Sequence, residues 1–309
     1  MSRRQFPDEA ITLISSSQLV LKPADRRQAV IDVFRSAAQT LRLSIFRCDD
    51  FGIVEEITAA IRRNVDVKIL VSTRARGSTK RLNRLAEFLD SAGAKIYRFG
   101  GEPSVKYHAK YIVADDKIGL ISSSNFTRKC FESTCDFILV SHEPEVAGGL
   151  KDLFDHDCHA PYFSLPEISD RLIIGPERTR ESFTRLLESA RISISIIDHR
   201  VTDPAVIDLI ENKRKSGVKV GILGRGYLAG MQSHGKMMVL DNQQAVLGSV
   251  ALSKVSLETR REVAIRMDEP RLVQELNCFF EYCAGRRAED VGHDQTTIED
   301  EDEEEDEEI

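Results

Sequence analysis

The sequence predicts an α/β protein built from two duplicated α/β/α sandwich halves with mixed sheets, related by a pseudo-two-fold axis. A short pattern occurs twice, as His108-Ala-Lys110 and His234-Gly-Lys236. Asp115 and Asp241 follow the two histidines at the same spacing. Helix-like and strand-like segments also alternate in both halves. An internal repeat combined with this alternation is typical of a duplicated α/β sandwich.

The repeat extends beyond the triplets. Ser123 matches Ser249, and Asp136 matches Glu262, each pair 126 residues apart. Upstream, Pro23 matches Pro176 at an offset of 153, whereas Ser44-Ile45 matches Ser195-Ile196 at an offset of 151. The offset then falls from 151 to 126. The reason is that about 25 residues around Arg74–Arg98, which form a helix-like stretch and a strand, have no counterpart in the second half.

The elements of the first half follow from the spacing of apolar residues. Residues 25–40 carry apolar positions at helical spacing, Leu41–Phe46 is predicted as a strand, Gly52–Arg63 as a helix and Val67–Ser72 as a strand. The same order returns in the second half, with helices at 178–190 and 204–216 and strands at 192–197 and 218–223. Asp203-Pro204 supplies an N-cap and a first-turn proline for the latter helix.

Each triplet is predicted to lie on a strand, Tyr107–Val113 and His234–Leu240. Residues two apart on a strand share a face, so each histidine and its lysine point the same way. A second strand follows each one, at Ile118–Ile121 and Ala245–Leu247.

We place a linker at Ala160–Pro166, which is bracketed by prolines. The predicted organisation is a first half over residues 1–162, a second half over 163–290 and a disordered acidic tail over 291–309.

Composition limits the class of protein. The net charge of −7 combines ten consecutive acidic residues at 299–308 with a faintly basic body. Such a run is usually solvated, so we favour a solubilising tail over a pseudo-substrate that competes with a polyanion for a cationic cleft. No apolar run is long enough for a transmembrane segment, and no signal peptide precedes the body, so we expect a cytoplasmic protein.

The cysteines do not predict a metal centre. Six are scattered through the chain, and the pairs Cys130/Cys135 and Cys278/Cys283 have no histidine pair to complete a zinc site. We therefore expect free thiols, no metal and no cofactor.

The paired triplets suggest chemistry at phosphorus. Histidine acts as a nucleophile or an acid near neutral pH, and lysine is a cation suited to oxyanions. If a two-fold axis brings both triplets into one pocket, two imidazoles and two ammonium groups surround one tetrahedral anion. That arrangement predicts displacement at a phosphodiester.

The pattern His-x-Lys-x4-Asp-x6-Gly/Ser-Ser resembles the HKD motif of the phospholipase D superfamily, and the duplication covers about residues 19–285. The resemblance implies metal-free catalysis through a phosphohistidine, with one histidine attacking phosphorus and the other protonating the leaving oxygen. It implies His108 as the nucleophile and His234 as the general acid and base. The implied catalytic set, counted with the motif aspartates, is His108, Lys110, His234, Lys236, Asp115 and Asp241.

The resemblance also implies a substrate-side set. Its members follow the motifs or occupy the acidic position that orients the imidazoles: Ser123, Asn125, Ser249, Asp136 and Glu262. We expect the motif aspartates, in contrast, to brace the strand ends rather than touch substrate. The second half departs from the pattern at Ala251, where the first half has Asn125, so the pocket is expected to be asymmetric.

Three functions remain open. A phospholipase D-like phosphodiesterase or phosphatidyltransferase acting on phospholipid, with possible peripheral membrane contact, is slightly favoured. A metal-independent nuclease is the alternative, because Arg74, Arg76, Lys80, Arg81 and Arg84 form a basic cluster. A non-catalytic phosphate-binding relic is the third, although both triplets are intact. The remaining histidines are expected to have ordinary surface or core roles, with His199-Arg200, at the end of a strand leading toward the shared cleft, as a candidate exception that could contact substrate. A fused pair completes its own pocket, which permits a monomer.

Overall fold

The first half of the chain forms a mixed sheet with helices packed against it. A computed structural model describes residues 16–72, 79–99, 105–159 and 165–290, and side chains only as far as 286. Its elements in this half are β1 (Ser17–Val20), α1 (Pro23–Ser36), β2 (Thr40–Ile45), α2 (Phe51–Arg62), β3 (Asp66–Ser72), α3 (Thr79–Ala92), β4 (Lys95–Phe99), β5 (Lys106–Tyr107), β6 (Tyr111–Ala114), β7 (Ile118–Ser122), α4 (Arg128–Glu132), β8 (Thr134–Cys135), β9 (Ile138–Ser141) and α5 (Pro144–His159).

The second half repeats the same plan with fewer elements. These are β10 (Leu172–Ile174), α6 (Thr179–Ser189), β11 (Ser193–Ile197), α7 (Pro204–Lys215), β12 (Lys219–Leu223), β13 (Tyr227–Leu228), β14 (Met231–Ser233), β15 (Lys236–Leu240), β16 (Gln244–Gly248), α8 (Lys254–Glu258), β17 (Arg260–Arg261), β18 (Val263–Met267) and α9 (Pro270–Asp290).

Two large sheets carry the architecture, and both are mixed. The first has the strand order β1-β9-β7-β6-β2-β3-β4, and the second has the order β10-β18-β16-β15-β11-β12. The central strands β2 and β11 each pair in parallel with the next strand, β3 or β12, and antiparallel with the strand that follows a histidine, β6 or β15. The predicted α/β class with mixed sheets is confirmed.

The apolar core shows how the two sheets meet. One buried cluster contains Ile121 and Leu139 from the first sheet together with Leu247 and Ile265 from the second. Two further clusters lie within one half each, between a sheet and its outer helices. Helices α5 and α9 also contribute to the shared core, for example through Leu150 and Leu276. The layers are therefore outer helices, first sheet, a core that includes α5 and α9, second sheet and outer helices, and burial of that core stabilises the contact between the halves.

Pairing in the sheets corrects one part of the predicted repeat. Thr40 and Ser193, which are 153 residues apart, begin equivalent strands and pair with Asp66 and Lys219, also 153 residues apart. The offset of 151 inferred for these strands was wrong by two residues. A shift of two preserves the alternation of side chains between the faces of a strand, so the apolar pattern does not reveal it.

Two small sheets join the halves. Strand β14 pairs in parallel with β8, and β17 pairs in parallel with β5, so in each case a strand from one half pairs with a strand from the other. The residue after β5 is His108, and the residue after β17 is Glu262. Likewise His234 follows β14 and Asp136 follows β8. These short strands therefore set the positions of the histidines and of the acidic residues at once.

The triplets do not lie wholly on strands, contrary to the prediction. His108-Ala-Lys110 falls between β5 and β6, and His234-Gly235 falls between β14 and β15. The backbone there bonds across the halves instead: His108 N donates to Arg261 O at 2.9 Å, and Gly235 N donates to Cys135 O at 2.6 Å. Hydrogen bonding to the other half thus interrupts each strand at the triplet.

Several predicted features lie outside the described residues. They are the basic residues Arg74 and Arg76, most of the proposed linker, and the acidic tail. In the part of the chain that is described, no helix has both the length and the apolar character required to cross a lipid bilayer.

Candidate active site

His108 is held between a carboxylate and a lysine. Its Nδ1 lies 2.9 Å and 3.0 Å from the two carboxylate oxygens of Glu262. On the other side, Lys110 Nζ lies 2.9 Å from Nε2 and also donates to the His108 carbonyl at 2.8 Å. Because a lysine ammonium only donates, the network assigns the proton to Nδ1 and leaves the Nε2 lone pair as the acceptor. This is the tautomer that a nucleophilic imidazole requires.

His234 is held in the equivalent way by Asp136. Its Nδ1 lies 2.9 Å and 3.0 Å from the two carboxylate oxygens. Asp136 is itself fixed by the Ser123 hydroxyl at 2.6 Å and by the Thr134 hydroxyl at 2.5 Å. A carboxylate fixed in this manner sets the orientation of the ring and stabilises its protonated form.

Each acidic residue comes from the half opposite to the histidine that it contacts. Glu262 in the second half orients His108 in the first, and Asp136 in the first half orients His234 in the second. The pairing of β14 with β8 and of β17 with β5 brings each acidic residue across to the histidine of the other half. Both histidines therefore depend on contact between the halves.

Burial and charge act differently on the two pairs. Desolvation, reinforced by the cations of Lys110, Arg260 and Lys236, holds the pKa of His108 well below its usual value. Burial also raises the pKa of Glu262. Burial opposes ionisation of Asp136 as well, but His234 and Arg26 outweigh it and hold the pKa of Asp136 far below its usual range. In the pair of His108 and Glu262 the imidazole is thus favoured in its neutral form. In the pair of His234 and Asp136 the imidazole faces a charged carboxylate.

A small cavity connects the two triplets. It is lined by His108, Lys236, Ser249 and Ala251 together with residues outside the motifs, namely His199, Arg200 and Arg260. The charge of Lys236 also acts on both Asp136 and Glu262. The lining thus takes His108 from the first triplet and Lys236 from the second, and His234 stacks on the lining residue His199. The predicted approach of His199-Arg200 to the cleft agrees with their place in the lining.

The motif aspartates lie elsewhere. Asp115 follows the far end of β6 and accepts hydrogen bonds from the backbone N–H groups of residues 38–40, each at 2.8 Å. Asp241 accepts in the same way from residues 191–193, at 2.7 to 2.8 Å. Both residues have a positive φ, 51° and 53°. Their carboxylates close turns, as the expectation that they brace strand ends implies, and their place in the catalytic set stays a prediction.

The residues of the predicted substrate-side set lie in different surroundings, and their contact with substrate stays a prediction. Asp136 and Glu262 contact the histidines, and the Ser123 hydroxyl is directed at Asp136 rather than at the cavity. Ser249 does line the cavity. The Asn125 Oδ1 is buried without a hydrogen-bond partner among the described residues. Ser249 thus forms part of the cavity wall, but its hydroxyl donates to Val263 O at 3.3 Å and also hydrogen-bonds Glu262.

Sequence reasoning missed several contacts. Phe46 lies edge-on against His108, with ring centroids 4.7 Å apart, and Ser256 donates to Glu262 at 2.9 Å. Arg260 was not singled out either. The sequence did contain a signal for one of these positions. An offset of 153 residues, which already matched Pro23 with Pro176, also aligns Phe46 with His199 and Arg47 with Arg200.

One group of described side chains has the composition of a metal site. Ligand atoms of Cys130, Asp136 and His234 all lie within 4.8 Å of one another. Thiolate, carboxylate and imidazole together suit Zn²⁺. The Arg26 guanidinium, however, lies close enough to interact with the Cys130 and Asp136 side chains, and a cation beside it would be repelled. The donor set therefore fits a metal poorly, and we assign these residues to the His234 brace.

Comparisons with known proteins agree with this geometry. A family model described as the phospholipase D-like domain of cardiolipin synthase matches residues 30–158 and 225–284. Cardiolipin synthase 1 of Bacillus anthracis is 26% identical over 197 residues, covering 60% of this chain and 38% of that protein. A polyphosphate kinase of Dictyostelium discoideum is 21% identical over 201 residues, covering 60% of this chain and 19% of that protein. The chain thus spans well under half the length of these relatives.

Solved structures share the fold. A phosphatidylserine synthase from Haemophilus influenzae Rd KW20 superposes with a TM-score of 0.71 at 12% identity, covering 88% of this chain and 86% of that chain. A polyphosphate kinase from Porphyromonas gingivalis gives a TM-score of 0.69 at 20% identity, covering 86% and 46%. Since the family model spans more than half of the chain, the protein belongs to the phospholipase D-like family.

Proposed function

We propose that the protein cleaves or transfers a phosphodiester through a phosphohistidine formed on His108. The observation that carries the proposal is the pair of histidines, each oriented through Nδ1 by a carboxylate of the opposite half. The His108 Nε2 lone pair attacks phosphorus, and the bond from phosphorus to the leaving oxygen breaks. His234 gives its proton to that oxygen. Lys110 and Lys236 offset the negative charge that develops on the phosphoryl oxygens.

The second step reverses the roles. Water or an alcohol gives its proton to the now neutral His234 and attacks phosphorus. The bond to His108 Nε2 breaks, and its electron pair returns to the imidazole. The enzyme is thereby restored, and the product is a phosphate monoester when water enters or a new phosphodiester when an alcohol enters.

We propose a phospholipid as the first substrate class. The family description and the cardiolipin synthase relative both support a phosphatidyl group as the part that is transferred. We expect an anionic headgroup such as phosphatidylglycerol to be preferred, because Arg200 and Arg260 add positive charge to that of Lys236 in the cavity lining.

A nucleic acid is the second candidate. The same excess of cations around the cavity suits a polyanion, and Lys80, Arg81 and Arg84 begin helix α3. Multiple phosphate contacts make such binding steeply salt-dependent. A steep loss of affinity between low and moderate salt therefore favours this candidate over the lipid.

The decisive test uses purified protein on a panel of phosphatidylcholine, phosphatidylglycerol, single- and double-stranded DNA, and bis(4-nitrophenyl) phosphate. Parallel samples lack residues 294–309. Replacing His108 with Ala removes the attacking atom, so we expect it to abolish turnover and acid-labile phosphoenzyme on every substrate. Excess EDTA should leave the wild-type rate unchanged. Activity that is lost with EDTA, or kept in His108→Ala, contradicts the mechanism.

A further inference from the structure

Phe46 and His199 occupy equivalent places in the two halves but differ in chemistry. They are 153 residues apart, and both lie just after the central strand of their sheet, β2 or β11. Phe46 contacts His108 edge-on, at 4.7 Å between centroids and 66° between planes. His199 stacks on His234, at 5.7 Å and 17°. One reactive imidazole thus has an apolar neighbour, and the other has a second imidazole.

The backbone fixes His199 in this place. The neighbouring Asp198 accepts hydrogen bonds from Arg200 N at 2.8 Å and from Leu252 N at 2.7 Å. Thr202 N also donates to Leu252 O at 3.0 Å. The turn that carries His199 is therefore tied to the loop after β16, and His199 as a whole residue is only 6% exposed. Its orientation is set by the fold and not by a substrate.

In-line displacement at phosphorus decides on which side of the phosphorus atom His199 acts. The nucleophile and the leaving oxygen lie on opposite sides of phosphorus. If His108 attacks, the oxygen that leaves, and the oxygen that later enters, are on the side of His234. His199 lines the same cavity and is stacked on that ring. Phenylalanine offers no hydrogen bond to an oxygen, whereas an imidazole offers one donor and one acceptor.

We propose that His199 is a positioning residue for the oxygen that enters in the second step. The inference rests on the phosphohistidine mechanism proposed above. His199 hydrogen-bonds the incoming water or alcohol while His234 accepts its proton. That oxygen bonds to phosphorus, and the bond from phosphorus to His108 Nε2 breaks. His199 undergoes no net protonation in this step; it fixes the direction from which the oxygen approaches.

The test separates the two steps with bis(4-nitrophenyl) phosphate. Because 4-nitrophenolate leaves at neutral pH without being protonated, the first step does not need an acid on the His234 side. In His199→Phe, which copies the other half, we expect the initial burst of nitrophenolate to persist. The steady-state rate should fall at least about tenfold, since misplaced reactants react slowly. Phosphoenzyme trapped by rapid denaturation should rise accordingly.

Two further variants complete the design. His199→Gln keeps a donor and an acceptor and should recover part of the steady-state rate, which a role in packing alone does not predict. His142→Phe, at an exposed histidine, is the matched control and should behave as wild type. A His199→Phe enzyme with the wild-type steady-state rate, or with burst and steady state reduced in equal proportion, overturns the inference. A wild-type enzyme that forms no phosphoenzyme overturns the proposed function instead.

Discussion

At the scale of single residues, the two histidines have equivalent sequence motifs but different surroundings. His108 contacts the ring of Phe46 and lies among cations, whereas His234 contacts His199 and a charged Asp136. The paired motif correctly identifies the acidic residues that contact the histidines, Asp136 and Glu262. It does not predict which half supplies each partner, since that depends on the pairing of β5 with β17 and of β8 with β14. Distances along the chain carry no information about that pairing.

The charge around His108 makes a prediction about pH. Neutral His108 is the proposed nucleophile, so activity falls at low pH as the imidazole becomes protonated. Burial is the main reason that its pKa is low, and Arg260 contributes by repelling the proton. Arg260→Gln removes that repulsion and should raise the pKa of His108. We therefore expect the acid limb of kcat/KM to move to higher pH.

The measurement is the pH profile of initial rates with bis(4-nitrophenyl) phosphate. Because Arg260 lines the cavity, the maximal kcat/KM is expected to drop as well. Only the pH at which the acid limb falls tests the effect of Arg260 on the pKa of His108. Arg128→Gln, at an exposed arginine, serves as the control. A limb that stays in place, or moves to lower pH, shows that the cation does not act on the nucleophile.

At the scale of elements, the sequence predicts the order and the approximate bounds of the helices and strands well. Asp203 caps α7 as expected, with its side chain accepting from Val206 N. The strand breaks at both triplets were not foreseen, because local apolar alternation continues through them while the hydrogen bonds switch to the other half. The motif aspartates were correctly expected to brace strand ends, and the turns that they close explain their recurrence.

Those turns give a prediction about stability. Asp241→Ala removes an acceptor of three backbone N–H groups and places alanine at a positive φ. We expect the free energy of unfolding to fall by about 1–3 kcal/mol. Asp241→Asn, which tolerates that backbone and keeps one acceptor, should lose less. Urea denaturation measures both.

The rate per folded molecule separates a structural role from a catalytic one. It should be unchanged in Asp241→Ala and in the equivalent variant Asp115→Ala. A large loss of kcat with normal unfolding would support the catalytic role that the motif implies for these aspartates.

At the scale of the whole molecule, the halves are joined by a shared apolar core and by two small sheets. The duplication predicts that the halves meet, and the proposed division after residue 162 remains a prediction. The size of the shared core could not be predicted, because an apolar residue on a strand gives no sign of which sheet it will face.

Separating the halves gives the corresponding prediction. Residues 1–162 and 163–309 expressed alone should be inactive and prone to aggregate, since each exposes its share of the core and loses one carboxylate brace. Expressed together, they should associate and recover activity on bis(4-nitrophenyl) phosphate. Size-exclusion chromatography and rate measurements check this. Activity in either isolated piece contradicts the exchange of carboxylates.

The additional elements α3 and β4 have a consequence for how the two copies diverged. β4 is the outermost strand of the first sheet, at the end remote from β1. A strand added at this edge of the sheet enlarges the first half without altering the pairing of the strands next to the histidines. The periphery can therefore acquire new surfaces for a substrate while the strands around the two histidines keep their pairing.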